Sequence, residues 1–277
     1  MKYLYITDSP EIAKYVDECG VDRIFIDLEL LGKAERQGGR DTVISHHKLE
    51  NISRVKKVVK QAEVLVRLNP LNPDSSAEIE NVIDQGADYL MLPMFRSIDE
   101  INWFCHRVNQ RAKIIPLVET VEAMSNLSQI VRIPGVTQIH IGLNDLHLDL
   151  KLNFMFELMS NGTVEKMARI CRNANLPFGI GGISTMDQGK VSGKLVLSEH
   201  ARLGSEWVIL SRSFHQLATT LAELQTRIDL PLELEKISTV YSALLKRSNF
   251  EIEQDKQLLY QTINEVSVNY RGERNAS

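Results

Sequence analysis

The chain of 277 residues carries 43% hydrophobic and 25% charged side chains, a globular balance that excludes a disordered or fibrous protein and allows a large core. Its 32 basic against 36 acidic residues leave a formal net charge of -4, without the basic footprint of a nucleic-acid binder. No run approaches the roughly 18 apolar residues that span a bilayer, and the opening Met1-Lys2-Tyr3-Leu4-Tyr5-Ile6-Thr7-Asp8 is too polar for a signal peptide, so no membrane partner is expected and a cytoplasmic location is.

Short apolar runs rich in β-branched residues alternate with longer segments of helical periodicity, the pattern of parallel strands joined by crossover helices. The first strand is expected at Tyr3 to Thr7, with a helix over Pro10 to Cys19, and the second at Arg23 to Asp27. Glu63 to Leu68 reads as the third strand, before a helix from Ser75 to Gln85. Tyr89 to Pro93 is the fourth, and the helix after it, Ser97 to Asn109, opens with the capping box Ser97-Ile98-Asp99-Glu100. Lys113 to Val118 is the fifth strand, Val121 to Val131 its helix, and Gln138 to Ile141 the sixth. Pro177 to Ile180, a helix over Leu195 to Arg202, and Trp207 to Leu210 complete the series. Gly20, Gly86 and Gly204 each follow a helix and precede a strand, where positive φ closes the last helical turn.

Eight such units in about 215 residues predict a closed (β/α)8 TIM barrel rather than an open doubly wound sheet. Beyond about Phe214 only helices are expected, over Phe214 to Ile228, Leu232 to Arg247 and Glu251 to Val268. The chain therefore divides into a barrel over residues 1–215 and a helical extension over 216–277. Ile237, Val240, Tyr241, Leu244 and Leu245 recur at helical spacing, giving the extension an apolar face to bury on its own barrel or on a neighbouring subunit.

In such a barrel the reacting groups sit at the C-terminal ends of strands and in the loops beyond them. Those positions hold Asp27 and Glu29, Arg67-Leu68-Asn69, Glu119, and Gly142-Leu143-Asn144-Asp145. Four acids against one arginine is a costly arrangement unless a cation relieves it, and a hard divalent ion between Glu119 and Asp145 would do so. Other readings stand beside this one. Each of those two carboxylates could instead cap the helix that follows. Arg67 could be tied in an ion pair with Asp27 or Glu29, which would then serve only to hold it.

His46 and His47 read as solvated residues before a basic helix, with a base for catalysis as the alternative. His140 is expected in the core; His147, two residues past Asp145, could approach a metal held there, but a role as its direct ligand is not the expectation. Gly179-Ile180-Gly181-Gly182-Ile183 reads as close packing or substrate clearance, because no basic residue follows until Lys190. Cys19, Cys105 and Cys171 are far apart and read as packing residues.

The chain resembles the HpcH/HpaI aldolase and citrate lyase β-subunit family over roughly residues 3–215. The resemblance rests on Asp27-Leu28-Glu29, Arg67-Leu68-Asn69, Gly86-Ala87-Asp88 with Leu92-Pro93, Leu117-Val118-Glu119-Thr120 and Ile141-Gly142-Leu143-Asn144-Asp145-Leu146. The 26-residue separation of Glu119 and Asp145 is also similar to that family's metal-ligand spacing.

The resemblance implies a metal-dependent carbon–carbon lyase in which Glu119 and Asp145 bind Mg2+ or Mn2+. The ion chelates a 2-keto acid such as pyruvate, Arg67 contacts the same substrate oxygens, and Asp27 and Glu29 stand near the metal's water. A Lewis acid and a guanidinium suit a reaction through an enolate, and backbone N–H groups at Gly142, Asn144 and Asp145 are placed to hold the substrate carboxylate. A homo-oligomer, trimer or hexamer, built by exchanging C-terminal helices is implied as well.

Two departures widen the expectation. HpcH-like aldolases carry a histidine directly after the glutamate of the second strand, whereas this chain has Leu30 and Leu31. Asp27-Leu28-Glu29-Leu30 with the loop Arg36-Gln37-Gly38-Gly39-Arg40 resembles lyases of acyl thioesters more closely, although their fourth acid is missing. The expected function is thus an aldolase acting on a 2-keto acid and an aldehyde. A lyase of citryl- or malyl-CoA type and a barrel that binds a keto acid without turnover are the alternatives.

Overall fold

A computed structural model describes residues 1–33 and 47–275, the side chains beyond Tyr270 excepted. Among the described residues eight strands follow one another in chain order round a closed barrel. They are β1 (Lys2–Ile6), β2 (Arg23–Asp27), β3 (Glu63–Arg67), β4 (Tyr89–Leu92), β5 (Lys113–Val118), β6 (Ile139–Ile141), β7 (Phe178–Ile183) and β8 (Trp207–Leu210). The expected barrel is therefore present, and β2, β5 and β8 have the bounds that the sequence predicts. His46 and the loop Arg36 to Arg40 lie outside the described residues.

Two compact units, Lys2–His140 and Ile141–Ser277 with Met1, divide the chain. In Lys2–His140 the strands β1 to β5 are parallel neighbours, so their C-terminal ends share one edge. All residues of β2 and β4 are buried, which is why β4 and the Ile24-Phe25-Ile26 centre of β2 read as continuous apolar runs instead of alternating ones. The helix Ile98–Val108 has the predicted capping box of Ser97 and Glu100. Gly20 and Gly86 close their helices at φ of 94° and 93°. On the edge opposite the candidate residues, the Asp17 carboxylate accepts the backbone N–H groups of Lys60, Gln61 and Ala62 at 2.7, 3.1 and 2.6 Å, which fixes the approach to β3.

In Ile141–Ser277 a helix over Thr163–Asn173 has no counterpart among the expected elements. β7 and β8 are parallel, with a register shift between Gly179 and Gly182. The glycines there answer to packing, as expected. A Cβ on Gly179 would lie 2.1 Å from Nε1 of the fully buried Trp207, and one on Gly182 would lie 2.9 Å from the Ile209 carbonyl.

After β8 come a 3-10 turn, Arg212–Phe214, and the helices Leu221–Arg227, Leu230–Leu244 and Asn249–Asn275. The last of these packs on the helices Gly193–Leu203 and Glu157–Ser160 of its own unit. Ser267 donates to the Glu157 carboxylate, and the rings of Phe154 and Tyr270 stack at 5.5 Å. Arg247 Nη2 donates to the Ser198 carbonyl at 2.9 Å. Cys105 and Cys171 are buried free thiols, pushed up by burial to about 11 and about 12, which fits packing residues.

Candidate active site

The parallel register makes Asp27 and Arg67 direct neighbours at the C-terminal ends of β2 and β3. Their side chains form a two-pronged pair, Arg67 Nε donating to Asp27 Oδ1 at 2.9 Å and Nη2 to Oδ2 at 2.8 Å. Arg67 Nε also lies 3.3 Å from Glu29 Oε2. Its third nitrogen, Nη1, makes no hydrogen bond among the described residues, and 16% of the side-chain surface stays exposed. Arg67 is thus tied in the ion pair that one reading of the sequence offered, while part of its surface stays exposed.

Lys33 is the residue that sequence reasoning missed. Its ammonium donates to Asp27 Oδ2 at 2.7 Å and lies 4.0 Å from Glu29 Oε2. Asp27, Glu29 and Lys33 are 2%, 2% and 3% exposed. The expectation of four acids against one arginine is therefore corrected, because a second buried cation neutralises the Asp27 and Glu29 pair. Burial alone would push the Asp27 carboxyl up, but the charges and hydrogen bonds of Arg67 and Lys33 hold it well below the usual carboxylate range. The Arg67 guanidinium, lowered by burial, is raised overall by Asp27, Glu29 and Glu119.

The turn that brings Lys33 back is fastened at several points. Glu29 N–H bonds to Asp27 Oδ1, and the N–H groups of Leu30 and Leu31 both reach Asn69 Oδ1 at 2.9 and 3.0 Å. Asn69 is held in turn by Glu78 Oε1, which accepts from its backbone N–H and its Nδ2. Leu30 and Leu31 are about half exposed, so the position that carries a histidine in the aldolases here presents apolar surface.

His47 departs from the solvated reading. Its side chain is 14% exposed, Nδ1 accepts the Asp27 backbone N–H at 2.9 Å, and Nε2 lies 3.8 Å from Asp8 Oδ1. A lone pair engaged this way fixes the Nε2–H tautomer and leaves no free acceptor for a substrate proton. Burial lowers the His47 pKa against the pull of Asp8 and Asp27.

Glu119 directly follows β5 and is 3% exposed. The helix behind it, Val121–Ile130, is capped by Thr120, whose Oγ1 accepts from Ala123 N–H at 3.1 Å, so Glu119 does not serve as the cap. One carboxylate oxygen, Oε1, accepts the Met94 N–H at 3.1 Å. Met94 reaches that position with φ at 55°, the left-handed region that a side chain disfavours.

The structure thus joins Asp27, Glu29 and Arg67 in one contact network and sets Glu119 on the same strand edge. Asp145 belongs to the other unit, where it stands half-buried in the first turn of helix Leu143–Asp149. Gly142 is the N-cap of that helix and Asn144 lies beside Asp145, with no side-chain capping bond. His140 is buried in β6 as expected, and His147 is buried in the same short helix as Asp145. No group of three or more His, Cys, Asp or Glu side chains is arranged to hold a metal ion among the described residues.

Residues 3–176 match a family described as HpcH/HpaI aldolase/citrate lyase. Among solved structures the chain is similar to an HpcH/HpaI aldolase/citrate lyase family protein from Burkholderia cenocepacia, at TM-score 0.62 and 15% identity, covering 82% of this chain and 95% of that one. An HpcH/HpaI aldolase from Desulfitobacterium hafniense aligns at TM-score 0.59 and 16% identity, over 90% and 94% of the two chains. RipC from Yersinia pestis aligns at 0.57 and 15%, over 91% and 98%. No curated protein matches in sequence. At such identities the structural likeness speaks for the fold.

Proposed function

The chain belongs to the HpcH/HpaI aldolase/citrate lyase family, and on that premise we propose that it is a divalent-metal-dependent lyase that makes or breaks a carbon–carbon bond beside the carbonyl of a 2-keto acid such as pyruvate, with an aldehyde as the other reactant. The observation that carries the reading is Arg67, whose Nε and Nη2 are committed to Asp27 while Nη1 stays available to a ligand oxygen. Aldol addition and its reversal pass through an enolate, and a donor already fixed in place stabilises that developing charge without reorganising. In this reading Asp27 and Glu29 act through Arg67 by holding its guanidinium in place.

Glu119 and Asp145 are the ligands we assign to Mg2+ or Mn2+, a choice that suits the hard oxygen donors of two carboxylates. Glu119 fits the assignment in that it is spared from capping its helix and is steadied at one oxygen by Met94. The ion would supply Lewis-acid polarisation of the keto oxygen. Backbone N–H groups at Gly142, Asn144 and Asp145 are assigned to the substrate carboxylate. Residues 1–215 form the catalytic part and 216–277 the part that assembles homo-oligomers, trimers or hexamers, in the cytoplasm.

The test is pyruvate release from 4-hydroxy-2-keto acids with and without EDTA, by wild type and Glu119→Gln. Release that stops with EDTA and returns with Mg2+ is expected, and turnover indifferent both to chelation and to Glu119→Gln would refute the reading. The engaged lone pair of His47 and the leucine at position 30 favour one further candidate, cleavage of a CoA thioester of the citryl or malyl type. The same assay run on those thioesters separates the two.

A further inference from the structure

We propose that Lys33 is a positioning residue of this site: its ammonium, held between Asp27 and Glu29, fixes the carboxylate pair that orients Arg67 toward the substrate. The inference rests on the assignment of Arg67 as the substrate-contacting donor. Nothing in the strand pattern draws attention to Lys33, which lies six residues past the end of β2, yet it is among the most deeply buried charged groups of the chain at 3% exposure.

The geometry gives it one task. Asp27 Oδ2 receives two donors, Arg67 Nη2 at 2.8 Å and Lys33 Nζ at 2.7 Å, while Oδ1 receives Arg67 Nε at 2.9 Å and the Glu29 N–H at 3.2 Å. All four approaches converge on one small group, so its orientation is over-determined. Glu29 is drawn to the same two cations, 4.0 Å from Lys33 and 3.3 Å from Arg67. Without Lys33 the two buried carboxylates would lose a cation they share and press more of their charge on the guanidinium, which could then swing toward either. The ammonium is almost wholly buried, hydrogen-bonded to Asp27 and 4.0 Å from Glu29, which favours a positioning role over a direct one. Among the described residues the charged groups facing it are Asp27 at the end of β2, Glu29 just beyond it and Arg67 from β3, with His47 behind the Asp27 backbone.

Three variants test the proposal in the full chain: Lys33→Met, Lys33→Arg and, should the methionine fail to fold by circular dichroism, Lys33→Gln. The first readout needs no chemistry. The Arg67 Nε–H resonance, identified by its loss in Arg67→Lys, is expected to exchange with solvent about tenfold faster or more in Lys33→Met, because the bond that protects it opens more often, and to keep its protection in Lys33→Arg.

The second readout is pyruvate release. Misplacing the guanidinium by a fraction of its own size is expected to lower kcat by about a hundredfold in Lys33→Met, with partial recovery in Lys33→Arg. The acid limb of the kcat/KM profile moves to higher pH in Lys33→Met, since Asp27 without the ammonium that helps hold its carboxyl low takes up a proton more readily, and stays in place in Lys33→Arg.

Unchanged Arg67 protection in folded Lys33→Met overturns the proposal, and so does lost protection with unchanged kcat and pH profile. A wild type that releases no pyruvate while its Lys33→Met variant loses Arg67 protection sinks the lyase reading and leaves the orienting role standing. An active wild type with an indifferent Lys33→Met does the reverse.

Discussion

Replacing Asp27 by asparagine keeps the shape at the end of β2 and removes the charge that binds the cluster together. In the wild type the carboxylate accepts three side-chain bonds, from Arg67 Nε, Arg67 Nη2 and Lys33 Nζ at 2.9, 2.8 and 2.7 Å, at 2% exposure. An amide offers one acceptor and turns two N–H groups toward donors, and it leaves Glu29 alone to balance two buried cations. Removing one partner of a buried pair costs about 3 to 5 kcal/mol, and the partial exposure of Arg67 argues for the lower end, about 3 kcal/mol.

For a chain of this size that corresponds to a thermal midpoint lowered by roughly 6 to 12 °C. The pH dependence carries a sign. The folded carboxyl lies below its unfolded value of about 3.9, so its stabilisation is complete above about pH 5 and drains away as the pH falls toward the folded value. The gap between wild type and Asp27→Asn should therefore be widest near neutrality and narrower by about 1 kcal/mol at pH 3. Urea unfolding followed by circular dichroism at pH 7 and pH 3 measures both quantities. A gap under about 1 kcal/mol at pH 7, or one that does not change with pH, would show that the cluster is not held by this charge.

Gly179→Ala forces a methyl group to within 2.1 Å of Trp207 Nε1, an overpacking expected to cost about 3 kcal/mol or more and to alter the near-ultraviolet signal of the tryptophan; an unchanged melting point would contradict the packing account. Burial pushes His200 down to about 4, below the unfolded value near 6.5, so its neutral form supports the fold fully above pH 6.5 and loses that support on acidification. Stability should then fall by about 3 kcal/mol from this group between pH 7 and pH 4, and His200→Asn should flatten that slope; an equal slope in both proteins would count against it. Light scattering at micromolar concentration should report a trimer or hexamer, and a monomeric mass would refute the assembly without touching the chemistry.

The strands were legible because parallel strands buried on both faces are continuous runs of β-branched and aromatic residues. Arg23–Asp27, Lys113–Val118 and Trp207–Leu210 announce themselves in that way. The helix Thr163–Asn173 buries Val164, Met167, Ala168 and Cys171 at helical spacing, yet apart from Ile170 its remaining residues are charged or polar, and a segment with so few large apolar side chains gives a faint signal. In the candidate site, Asp27, Arg67 and Glu119 were readable from their places at strand ends.

Lys33 was not readable. Its contact with Asp27 depends on a turn fastened by the side chain of Asn69 from the loop after β3, and no local pattern encodes such a tie. The same holds for His47, which meets the Asp27 backbone from 20 residues away. What periodicity reports is which face of an element is buried, whereas loop side chains are placed by bonds to distant partners.

Met94 stores strain beside Glu119. A side chain in the left-handed region costs about 1 to 2 kcal/mol, which glycine would not pay, and the amide held in that posture is the one that steadies Glu119. Glycine at position 94 would keep that N–H and shed the strain while loosening the backbone. Selection of this chain for heat tolerance alone is therefore expected to recover glycine there, and a methionine retained under selection for turnover would mean that a stiff backbone beside Glu119 matters to the proposed chemistry.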